Sequence, residues 1–89
     1  MVKLPESGLR ILANLHTPIT FEMVPAHRDD GQWWKMLIHI ADRNEHAVLV
    51  NVFGEERVWR QLNAAAKFIF ETCPDIEAFT VSKHPKGQR

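Results

Sequence analysis

A single cysteine, no excess of either charge and no long apolar run set the first limits on this 89-residue sequence. One thiol, Cys73, cannot form an internal disulfide, and such sparse use fits a reducing compartment. Lys plus Arg equals Asp plus Glu, at 11 each, so no net field draws the chain onto nucleic acid or an anionic membrane. Any such attraction has to be local. No apolar stretch approaches the ~20 residues of a membrane span, and the opening MVKLPESG lacks the apolar centre of a secretion signal. A cytoplasmic protein is therefore expected. Repeats, low-complexity tracts and internal linkers are also missing, which leaves one domain over residues 1–82 and a basic, apolar-poor tail over 83–89 expected to be flexible.

Metal and phosphate signatures are missing as well. The histidines His16, His27, His39, His46 and His84, with Cys73, fall at none of the spacings that hold zinc, so neither a metal nor another cofactor is expected. The junction Asn51-Val52-Phe53-Gly54-Glu55-Glu56 offers one glycine and two carboxylates where a phosphate would dock, and like charges there repel an anion. Cys73 lies at the end of a predicted helix, on its apolar stripe, and reads as a core residue.

What the sequence does contain is pattern. From Glu55 to Cys73, Val58, Leu62, Ala65 and Ile69 recur at helical spacing, widened by Trp59, Ala66, Phe70 and Cys73. Gly54 is the expected N-cap, Glu55 and Glu56 favour the positive helix start, and Pro74 ends the helix. Upstream, Ile19, Phe21 and Met23 alternate with polar residues. Asp30-Gly31 signals a hairpin turn, and Trp34, Met36, Ile38 and Ile40 alternate on a second strand. Centring the turn on Asp30-Gly31 sets Met23 opposite Ile38 and Phe21 opposite Ile40. A three-residue loop, Arg43 to Glu45, then places Val48, Val50 and Val52 of a third strand on that same face. Ser7 to His16 reads either as a short helix with Leu9, Leu12 and Leu15 inward, the preferred reading, or as a strand in which Leu9, Ile11, Ala13 and Leu15 alternate. Ile76 to Ser82 reads as a short edge strand. The expected fold is α+β: a two-layer sandwich in α-β-β-β-α-β order. Its antiparallel three-stranded meander gains an edge strand, and the main helix 55–73 packs on one sheet face.

Function is expected on the other face. There the same register gathers Thr20, Glu22 and Val24 with Trp33, Lys35, Leu37 and His39, and with Leu49, Asn51 and Phe53. This is more apolar than a solvated antiparallel face usually is, and the N-terminal segment is expected to cover only part of it. Trp33, Leu37, Leu49 and Phe53 are the interface candidates, with Phe68 on the helix flank as a further contact point. A non-enzymatic accessory module follows, self-associating as a homodimer or binding a protein partner. The alternative is a nucleic-acid-binding accessory protein using Arg28, Trp33 and Lys35 with Lys83, Lys86 and Arg89 of the tail. A carboxylate–imidazole pair, Glu22 opposite His39, is the one candidate for acid–base chemistry, although neither a nucleophile nor a pocket accompanies it.

Overall fold

Six strands and two helices organise residues 1–83, the part of the chain that the computed structural model describes. In chain order they are β1 (Val2–Pro5), α1 (Glu6–Asn14), β2 (Ile19–Arg28), β3 (Gly31–Ile40), β4 (Glu45–Val50), β5 (Val58–Trp59), α2 (Leu62–Thr72) and β6 (Thr80–Val81). They form one mixed sheet in the order β1-β4-β3-β2-β6, with β5 beside β3. The antiparallel meander expected from the hydrophobic pattern is β2–β3–β4, and the expected edge strand is β6. It pairs parallel to β2. Lys86 and Arg89, with most of the basic tail, lie outside the described residues.

Two crossovers explain why one face is helical and the other is not. β1–α1–β2 and β4–α2–β6 each connect parallel strands, and both cross the sheet in the same direction. Crossovers of one hand travelling the same way lie on the same face. Accordingly Leu9 and Leu12 of α1 share a core with Ala65 and Ile69 of α2. Beneath them lie Phe21, Met23, Met36, Ile38, Ala47 and Leu49 of the sheet. The N-terminal helix therefore does not shield the second face even in part, contrary to the sequence expectation.

Each hairpin register departs from expectation, with different consequences. Arg28 pairs with Gly31, so Asp29-Asp30, not Asp30-Gly31, occupies the first turn. Gly31 follows it at φ 125°, a conformation open to a residue without Cβ. Met23 thus faces Met36 and Phe21 faces Ile38. A slip of two residues leaves every side chain on its predicted face.

The second hairpin changes parity. Its loop is Ala41–Asn44, closed by Asn44 at φ 47°, and Ile40 pairs with Glu45 and Leu37 with Val48. This exchanges the faces of β4. Ala47 and Leu49 point into the helical core, while Val48 and Val50 take the second face. β4 lies between β1 and β3, and all of Ala47, Val48, Leu49 and Val50 are buried. A strand buried on both sides reads as a continuous apolar run, which cannot announce its face.

The main helix is shorter than its periodicity suggested. It begins at Leu62, after Gln61 in extended conformation (φ −123°, ψ 134°). The segment assigned to its first turns instead forms a return loop and β5, where Trp59 pairs with Trp34 and Val58 with Lys35. β3 loses β4 as a partner beyond Leu37, and β5 occupies the vacated backbone. Valine and tryptophan suit that pleated environment. Gly54 is consequently a turn residue, at φ 80°, and not a helix cap.

Candidate interaction surface

The loop joining β4 to β5 is built by one side chain. Asn51 Oδ1 accepts hydrogen bonds from the backbone N–H of Phe53 at 2.9 Å and of Glu55 at 3.1 Å. The Asn51 backbone closes the same turn, its N–H donating to the Glu55 carbonyl at 2.8 Å and its carbonyl accepting from Gly54 at 3.0 Å. Asparagine is suited to this because its amide oxygen can imitate a backbone acceptor. The consequence is an apolar tip held away from the body: Val52 is 92% exposed and Phe53 83% exposed. A local polar turn thus presents two side chains that gain nothing from the fold.

Arg57 anchors the base of this loop. Its guanidinium donates to Glu6 Oε1 at 3.0 Å and lies 4.8 Å from the ring of Trp59 and 4.6 Å from that of Phe68. One cation thereby joins the first turn of α1 to β5 and α2. Glu6 also accepts from Arg10 Nε at 3.0 Å. The Arg10 hydrogen bond, opposed by slight desolvation and reinforced by Arg57, holds the Glu6 carboxyl below its ordinary pKa.

The sequence-derived interface residues separate on this structure. Phe53 is presented to solvent. Leu49 is 0% exposed and belongs to the core, because the parity of β4 turned it inward. Val52, assigned by the same reasoning to the core face, is instead at the exposed tip. Leu37 and Trp33 are half-buried on the second face. Phe68 is half-buried against Trp59, with ring centroids 5.6 Å apart, so it serves internal packing. The second face has no helix above it, yet its residues Val24, Val48 and Val50 are buried. The apolar patch imagined across Trp33, Leu37, Leu49 and Phe53 is not continuous.

Two of the cations proposed for nucleic acid, Arg28 and Lys35, lie beside carboxylates. Arg28 and Arg60 lie 5.1 and 5.4 Å from the ring centroid of Trp33. Trp33 Nε1 donates to Asp30 Oδ1 at 2.9 Å, and Arg28 Nε lies 3.8 Å from the same oxygen. Lys35 is 3.6 Å from Glu56. Lys83 is exposed. Arg60 was missed from the sequence because it fell on the polar side of the predicted helix.

Glu22 does not face His39. The two-residue slip puts Thr20 there and sets Glu22 opposite Leu37. His39 instead stacks on His46 of β4, with centroids 4.5 Å apart, and its Nε2 is buried without a hydrogen-bond partner. Among the described residues, no group of three or more His, Cys, Asp or Glu is placed to hold a metal, and no helix is long and apolar enough to cross a membrane.

Comparison with protein-family models, curated proteins and solved structures finds no match to this chain. Its functional reading therefore comes from its own geometry.

Proposed function

We propose that this protein is a non-enzymatic interaction module that self-associates through the Val52–Phe53 tip. The observation that carries this is a phenylalanine 83% exposed on a turn already closed by Asn51. An exposed aromatic on a pre-formed turn loses little conformational freedom on contact, which is how a binding hot spot avoids much of the ordering cost. Burying a Val or Phe side chain contributes about 1.5–3 kcal/mol each, against an association cost of several kcal/mol. The contact is accordingly weak by itself, and neighbouring surface has to join it.

The nucleic-acid alternative has less support. Asp30 and Glu56 neutralise Arg28 and Lys35, and two guanidiniums lie near the Trp33 ring on which a base would stack.

Light scattering from a few micromolar to about a millimolar tests the reading, a range matched to weak association. The weight-average mass of the wild-type chain is expected to rise with concentration, and that of Phe53→Asp to stay at the monomer value. High salt should leave the association intact, because apolar contacts are not screened. Equal behaviour of the two chains would overturn the proposal.

A further inference from the structure

The geometry points to a head-to-tail contact between copies of this chain. In it, Phe53 of one copy enters the apolar pocket between the carboxyl ends of α1 and α2 of the next. This rests on the reading above and names the surface that receives the tip. The pocket has a volume of about 230 Å³ and is walled by Ala13, Pro18, Ile19, Cys73, Pro74 and Ile76. An enclosed apolar cavity of about 150 Å³ admits benzene, so this open pocket has volume enough for a phenyl ring. His16 Nδ1 and Asp75 Oδ2, 3.3 Å apart, form a polar rim. Leu15, on the same helix end, is 70% exposed and extends the apolar border towards a second residue such as Val52.

Placement makes the contact intermolecular. β4 starts at Glu45, paired with Ile40, and Ile40 in turn pairs with Ile19 of the pocket wall. The strand then runs away from that end to Val50, where the tip begins. Knob and pocket thus stand at opposite ends of the sheet, and a chain cannot fill its own pocket. Every copy that donates Phe53 keeps a free pocket, and every copy that receives one keeps a free tip. Such a heterologous contact builds open chains or closed rings, whereas a two-fold dimer through the tips would leave the pocket unused.

Cys73 forms part of the floor. Burial pushes its thiol pKa up, aided by Asp75 and opposed by Arg10, so the floor stays neutral and apolar near physiological pH.

Complementary variants test the contact. Phe53→Ala removes the knob. Ala13→Phe fills the pocket from α1, and Thr17→Trp, at a lining residue of the segment that follows α1, is a second blocking variant. Circular dichroism identifies which blocking variant keeps the native fold. Each variant alone is expected to sediment as a monomer, and an equimolar mixture of Phe53→Ala with a blocked chain to form a one-to-one dimer that grows no further. Self-association abolished by Phe53→Ala but retained by folded blocked chains would overturn the pocket assignment and leave the tip reading intact. Association indifferent to both changes would overturn both. A mixture that stays monomeric at concentrations where wild type associates would also reject head-to-tail insertion.

Discussion

Replacing Leu49 by alanine tests the register of β4, on which the placement of the tip depends. Leu49 is 0% exposed and pairs with Leu4 of β1, under the helices and beside Met36 and Ile38 in the same core cluster. Leucine-to-alanine changes at such sites cost about 2–5 kcal/mol, the lost transfer energy plus the cavity that cannot fully collapse. A domain of 89 residues has about 4–13 kcal/mol in total, so the variant loses a large share of its stability. Each kcal/mol corresponds to roughly 4–8 °C in a domain of this size, so Tm should fall by about 8–40 °C. Urea denaturation followed by tryptophan fluorescence measures this directly. Val52→Ala is the paired measurement. With the side chain 92% exposed, it should change stability by no more than about 0.5 kcal/mol. The opposite parity would reverse the two results. A Leu49→Ala loss below about 1 kcal/mol, or a larger loss at Val52, would refute the register.

Asn51→Ala removes an acceptor shared by two backbone N–H groups and is expected to cost about 1–2 kcal/mol in denaturation while weakening association, since the tip loses its fixed shape. Gly54→Ala, at φ 80°, should destabilise by about 1–2 kcal/mol from backbone strain alone. Arg57→Ala separates the two rings from Glu6. Its side chain is 37% exposed, so screening limits the ion pair, and the expected loss is about 1–2 kcal/mol, mostly from the aromatic contacts. Glu6 gives a pH signature. Its folded pKa is lowered, so its contribution is fully present above the unfolded carboxylate value and is lost as acid titrates the folded group below it. Glu6→Gln should therefore lower stability near neutrality and flatten that part of the acid limb, as read from Tm against pH.

Much of the fold was legible because several residues agreed. Leu9 and Leu12 marked α1, alternation marked β2 and β3, and Leu62, Ala65, Ile69 and Cys73 marked the buried side of α2. What escaped was decided by distant partners. Val58 and Trp59 fit a helical stripe as well as a strand, and only the unpaired backbone of β3 selected the strand. Val2–Pro5 gave no strand signal because its stability comes from parallel pairing with β4, more than forty residues away. The uniform Ala47–Val50 run concealed which face each side chain takes, and Leu49 was placed wrongly for that reason. The tip did carry a signal. Asn51 followed three residues later by Gly54 is a turn signature, outweighed by the apolar Val52-Phe53 between them. The sequence expectation for Phe53 rested on a sheet face to which it does not belong, whereas its exposure comes from the turn.

The most direct test of the association places a photo-reactive benzoylphenylalanine at position 53, irradiates the purified chain at an associating concentration and locates the adducts by mass spectrometry. Intermolecular adducts on the segments containing Ala13–Ile19 and Cys73–Ile76 are expected, diminished when folded pocket-blocked chains are the only acceptors. An associating protein whose position 53 labels other surfaces, or labels nothing, would contradict the insertion of Phe53 into a neighbouring copy.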